Sequence, residues 1–111
     1  MNDITIRPIE VKDKKAVMQM MRVFYDSPAV QHKAPDEILE DCISDMPFID
    51  GFIIEKSGNT AGYFMTAKSY TTEYGGICVW IEDIYINPDY RHSGISASVF
   101  DFVEKQYPYA V

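Results

Sequence analysis

The chain has 111 residues, 47% of them hydrophobic and 24% charged, which suits one domain spanning residues 1–111 and leaves no room for a second. Its 17 acidic and 10 basic side chains give a net charge of −7. The densest basic stretch is Lys12-Asp13-Lys14-Lys15, so the clustered cations that a nucleic-acid partner demands are absent.

No stretch approaches the ~18 apolar residues of a membrane span. The opening Met1-Asn2-Asp3 lacks the basic start and apolar core of a secretion signal, so a cytoplasmic protein without membrane contact is expected. Cys42 and Cys78 lie far apart and outside any CxxC or Cys/His cluster. They read as buried free thiols, and no metal is expected.

Ile4, Ile6 and Ile9 alternate with polar residues as in a strand that Pro8 confines to an edge. Ala16, Val17, Met20, Met21 and Phe24 recur at helical spacing, predicting a helix from Lys12 to Tyr25 that Asp26-Ser27-Pro28 stops. The pattern lapses from Ser27 to Ala34. A second helix opens at Pro35-Asp36-Glu37, where proline suits the first turn and the acids complement the dipole. Its apolar stripe is Ile38, Leu39, Cys42, Ile43 and Met46.

Phe52 to Lys56 and Ala61 to Ser69 read as antiparallel strands joined by Ser57-Gly58-Asn59-Thr60, whose Gly-Asn pair suits a tight hairpin. After a turn at Thr71 to Gly76, the β-branched and aromatic run Ile77 to Ile86 makes a long central strand with Trp80 in the core. A loop through Gly94 leads into a helix with Ile95, Val99, Phe102 and Val103 on one face. Pro108 ends it, and Tyr109-Ala110-Val111 reads as the opening of a fifth strand. The fold class is therefore α/β: a mixed, mainly antiparallel sheet with helices on both faces.

A strand that turns through glycine into a helix aims several unpaired backbone N–H groups at one point, and the helix dipole makes that point attractive to a diphosphate. Gly94 would let the backbone approach closely, since a Cβ there would meet the ligand or the turn. Ser96 is small and could donate a hydroxyl hydrogen bond. Many strand-to-helix turns contain glycine without binding anything, so the loop alone does not decide.

The segment Ile84-Tyr85-Ile86-Asn87-Pro88-Asp89-Tyr90-Arg91-His92-Ser93-Gly94-Ile95-Ser96 resembles motif A of the GNAT superfamily of N-acetyltransferases. Strand-ending hydrophobics and a proline precede Q/R-x-x-G-x-G/A in that motif. Arg91 and Gly94 match, whereas Ser96 replaces the usual Gly or Ala and His92 stands where many members have Gly. The order of elements also agrees over nearly the whole chain.

The resemblance implies acetyl-CoA as co-substrate, with the backbone of Ile84 and Ile86 pairing with its pantetheine arm. The N–H groups of Arg91, His92, Ser93, Gly94, Ile95 and Ser96 would hold its pyrophosphate, and an N–H near Tyr85 would polarise the thioester carbonyl. A primary amine, of a small molecule or a peptide, would attack directly. Glu82 is the candidate base, through a water; Asp83 is expected on the opposite face by strand alternation. Both are also compatible with ordinary strand carboxylates. His32 reads as a surface side chain in a stretch that borders the family's substrate cleft, and Tyr63, Tyr70, Tyr74 and Tyr85 read as core or cleft-lining residues.

Members of the family continue with a full fifth strand, another helix and a closing hairpin. The tyrosine that commonly protonates their departing thiolate has no matching position here, and Tyr107 and Tyr109 lie close to the crossover. The expectation is a GNAT-like domain lacking the usual C-terminal strands and helix, with a second copy or a further segment covering the exposed sheet edge. The alternative is a non-catalytic remnant that acts as a coenzyme A-binding or interaction module.

Overall fold

The computed structural model describes residues 3–24, 26 and 35–110, so His32, Tyr25 and Val111 lie outside the described residues. Four strands form one antiparallel sheet in the order β1-β2-β3-β4. They are β1 (Ile4–Pro8), β2 (Ile49–Lys56), β3 (Asn59–Thr71) and β4 (Gly76–Ile86). The helices are α1 (Lys14–Phe24), α2 (Pro35–Ile43) and α3 (Ile95–Gln106).

Each face of the sheet has its own core. Val17 and Met21, one turn apart on α1, and Leu39 on α2 are fully buried against Ile53, Tyr63 and Met65. On the opposite face α3 sets Ile95 and Val99 against Phe52, Ile54 and Phe64. Phe102 of α3 meets the rings of Phe52 and Phe64 edge-on at 5.0 and 6.1 Å. Because both faces are covered, Phe52, Ile53 and Ile54 are all buried, and the central strands read as continuous apolar runs. Each such side chain contributes about 1.5–3 kcal/mol relative to exposure.

The turn into α1 is fixed by charge. Arg7 donates to both oxygens of Asp13, at 2.7 and 2.9 Å, and to Glu55 at 3.2 Å. Asp13 also accepts from the Glu10 N–H at 2.9 Å. This pairing holds the Asp13 carboxyl below the usual carboxylate range even though the residue is buried. The helix expected from Lys12 accordingly begins with a 3-10 turn, Val11–Asp13, before α1.

Several sequence-based expectations are corrected. The β2–β3 hairpin turns at Ser57-Gly58, both in the left-handed region, rather than at a Gly-Asn pair; such a two-residue turn matches the twist of the strands. Met46 falls beyond α2 and is exposed. Trp80 is 60% exposed, because the apolar contacts of the α1–α2 layer with β4 gather around Tyr85, further along the strand. Cys42 and Cys78 are free but only half-buried. Tyr109 and Ala110 do not open a strand: the Ala110 N–H donates to the Tyr107 carbonyl at 3.1 Å, closing a turn over Pro108.

Tyr107 anchors that turn. Its buried hydroxyl donates to Asp50 at 2.6 Å and lies 2.7 Å from the hydroxyl of fully buried Thr66. Burial first, and then the Asp50 hydrogen bond, push its ionisation upward, so Tyr107 serves as a neutral strut under the sheet.

Candidate active site

β4 is an edge strand of the sheet: its residues Ile84, Tyr85 and Ile86 pair with Phe64, Tyr63 and Gly62 of β3, and no strand among the described residues takes its other side. The two backbones come very close at the end of the pairing. A Cβ on Gly62 would stand 2.1 Å from the Tyr85 carbonyl oxygen, so only glycine fits there.

Upstream, the register with β3 slips: Met65 faces Asp83 and Thr66 faces Ile81, leaving Glu82 as the extra residue of a bulge. Ile81 and Ile84, three residues apart, therefore both pack toward α3. Strict alternation fails between them, so it cannot set Asp83 opposite Glu82 as expected. Asp83 accepts from the Tyr63 hydroxyl at 3.4 Å on the α1–α2 side. Glu82 is exposed.

Beyond Ile86 the chain is fastened by its own backbone. Asn87 donates to Ala61 at 2.7 Å, its side chain accepts from the Asp89 N–H at 3.1 Å, and a 3-10 turn spans Pro88–Tyr90. The Ser93 hydroxyl donates to the Tyr90 carbonyl. His92 has φ 65° and Gly94 φ 81°, so the loop needs two left-handed residues. Glycine, which many members of the motif carry at the position of His92, is the residue this backbone favours there. At Gly94 an added Cβ would have no neighbour within 4 Å; the conformation, not a collision with the turn, calls for glycine.

Gly94 caps α3 through its backbone, and no side chain caps the helix. The Arg91 N–H is already used, donating to Pro88 at 3.3 Å. The N–H groups from His92 to Ser96 have no protein acceptor among the described residues, so the row of open N–H groups is one residue shorter than expected. The Ile95 side chain is buried in the α3 core and offers the loop only its backbone.

Ile84, Tyr85, Ile86, Arg91, His92 and Ser96 converge with Phe24 around an open pocket of about 400 Å³. Glu82 stands outside it, up the strand. By sequence Phe24 is legible only as the last core residue of α1; its ring meets Tyr85 edge-on at 6.4 Å. The Arg91 guanidinium lies over the Tyr85 ring at 5.9 Å, and its Nε donates to the Ile86 carbonyl at 2.9 Å. Positive charge, an open strand edge and a helix N-terminus thus meet in one place.

A sequence profile of the acetyltransferase (GNAT) family matches residues 15–108, nearly the whole chain. The chain belongs to the GNAT acetyltransferase family. Solved structures agree on the fold of this GNAT chain. A possible acetyltransferase from Clostridium difficile 630 superposes with TM-score 0.79 at 15% identity, over 97% of this chain and 75% of its own. A ribosomal-protein-alanine N-acetyltransferase from Brucella melitensis biovar Abortus 2308 gives 0.75 at 15% identity, over 95% and 73%. A predicted acetyltransferase with acetyl-CoA from Clostridium acetobutylicum gives 0.69 at 13%, over 95% and 73%. A search of curated proteins by sequence finds no match. No helix among the described residues of this GNAT protein is long and apolar enough to cross a membrane.

Proposed function

We propose that this GNAT acetyltransferase moves an acetyl group from acetyl-CoA to a primary amine of a small molecule or peptide, in a cytoplasmic setting that suits its unpaired cysteines. The observation that carries the reading is the row of unused N–H groups from His92 to Ser96, at the mouth of a pocket that continues along the open edge of β4. The Clostridium acetobutylicum structure, described with acetyl-CoA, supports the choice of donor.

These residues suit such a ligand. The N–H row and the α3 dipole would hold the diphosphate, with Ser96 beside it, and the edge at Ile84 and Ile86 would pair with the pantetheine amides. For the second pairing Arg91 would release the Ile86 carbonyl it now occupies. Acetyl-CoA supplies the activated acyl group. A backbone N–H near Tyr85 would polarise the carbonyl, and Glu82 would take the proton from the arriving ammonium through a water. An N–C bond then forms as the C–S bond breaks, the nitrogen's second proton passes through solvent to the departing sulfur, and coenzyme A leaves as the thiol. We further propose that a second copy of the chain covers the free edge of β4 upstream of Ile84; a strictly monomeric sedimentation profile at high concentration would reject this.

Calorimetric titration with acetyl-CoA and coenzyme A tests the site. Absence of binding at millimolar ligand rejects the reading for this chain. Where binding occurs, thiol release across an amine panel decides catalysis. In Glu82→Gln, binding should persist and turnover fall about 10²-fold or more; retained turnover rejects Glu82 as the base.

A further inference from the structure

The half of β4 upstream of the bulge is an edge without the usual guards. Gly76-Ile77-Cys78-Val79-Trp80-Ile81 carries no charge and no proline, and no strand among the described residues pairs with its outer side. The Asn87 N–H bonds to Ala61, beside Gly62 in β3, so Ile84 and Ile86, whose side chains pack toward α3, turn their peptide groups outward. Side-chain face and peptide direction are coupled along a strand, so Val79 and Ile81, which also pack toward α3, turn theirs outward too, as does Ile77 by alternation. On the other face Trp80 and Tyr74, both largely exposed, border with Cys78 an open groove of about 740 Å³. Neither ring belongs to a core.

Antiparallel pairing of this segment with itself has one best register. Centred on Val79, it sets Ile77 against the partner's Ile81 and Val79 against the partner's Val79, so every outward N–H and C=O is used. A shift of two residues either way sets Ile81 against the turn at Gly75, or Ile77 against Asp83 beyond the bulge, and those bonds are lost. A shift of one would bring opposite faces together. The central register also sets Cys78 opposite the partner's Trp80, with about 4.5 Å between Cα atoms, so that the indole covers the groove. Glu82 meets the partner's Gly76, and the turn that carries the partner's Tyr74 stands beside the candidate base.

The geometry points to a two-fold dimer in which β4 continues into the partner's β4 around Val79, and each reacting end is walled by the partner's Tyr74. The assignment rests on the self-association proposed above, and it takes only the role of Glu82 from the acetyl-transfer reading.

In Trp80→Cys the new thiol faces the partner's Cys78, so mild oxidation should give a covalent dimer on a non-reducing gel. Wild type should give none, because its two Cys78 thiols are offset along the strands. A covalent wild-type dimer, or none in the variant at concentrations where it sediments as a dimer, overturns the register. Val79→Pro removes an outward N–H, which an edge strand tolerates, and should yield a folded monomer; a folded variant that still dimerises overturns the interface. The shared site shows on mixing. Tyr74→Ala should lower turnover about tenfold by loosening the reacting end. An equimolar mixture of Tyr74→Ala and Glu82→Gln should recover about a quarter of the wild-type rate, since each mixed dimer holds one intact Glu82 beside an intact Tyr74 of the partner. Absence of recovery overturns the shared site. If the crosslink forms while no amine is acetylated, the dimer stands and the catalytic reading falls. If a strict monomer acetylates, catalysis stands and the dimer falls.

Discussion

Gly94 and Gly75 form a matched pair for testing what the loop does. Both are left-handed, at φ 81° and 69°, and an added Cβ would find no atom within 4 Å at either position. Alanine therefore brings no clash at either site, and its cost is that of forcing a Cβ-bearing residue into the left-handed region. That cost is about 1–2 kcal/mol, offset by about 0.5–1 kcal/mol because alanine loses less freedom on folding than glycine. A net loss of about 1 kcal/mol should lower Tm by about 4–8 °C for a domain of this size, equally in Gly94→Ala and Gly75→Ala. Only Gly94 adjoins the open N–H row, where the new methyl stands in the space a diphosphate would fill. Calorimetry should find coenzyme A bound about tenfold or more weakly by Gly94→Ala, and unchanged in Gly75→Ala. Equal melting losses with equal affinities would show that the turn into α3 is structural and holds no phosphate.

His92→Gly should raise stability by about 0.5 kcal/mol, since relief of the left-handed histidine slightly exceeds the entropic cost of glycine; a lower denaturation midpoint would mean that the imidazole itself holds the loop. Tyr107→Phe should cost about 1–3 kcal/mol in urea unfolding, because it strips a partner from Asp50 and from buried Thr66. Asp13→Asn should cost about 2 kcal/mol at neutral pH. The folded carboxyl titrates below its unfolded value of about 4, so its stabilising effect is complete above that value and is lost as pH falls through the lowered one. Midpoints for wild type and Asp13→Asn should accordingly converge on acidification, and a constant gap would refute the assignment.

Much of the fold was legible because period and punctuation agree. The Val17 and Met21 stripe, the unbroken apolar runs of β2 and β3, and the break at Pro88 each point to one local structure. Of the candidate site, Gly94 was legible because a left-handed turn into a helix calls for glycine, and Arg91 only through its resemblance to the family motif. What the residues did not show depends on pairings between distant segments. The bulge at Glu82 follows from how β4 lies on β3, and alternation within β4 gives no sign of it. The exposure of Trp80 depends on how far α1 and α2 extend over the sheet, which no property of the strand reveals. Phe24 looked like any core residue of a helix because its role at the pocket comes from facing Tyr85.

The bulge makes β4 a strand written in two reading frames. Before it, odd-numbered Val79 and Ile81 face α3; after it, even-numbered Ile84 and Ile86 do. Removing a single residue at position 82 or 83 would therefore restore a regular strand without deleting any of these four side chains. Were the residue kept and the bulge flattened into strict alternation, the whole segment that follows would instead rotate, presenting Tyr85 to the α3 core and sending Ile84 and Ile86 to the other side. The pocket depends on one surplus residue being looped out upstream of it.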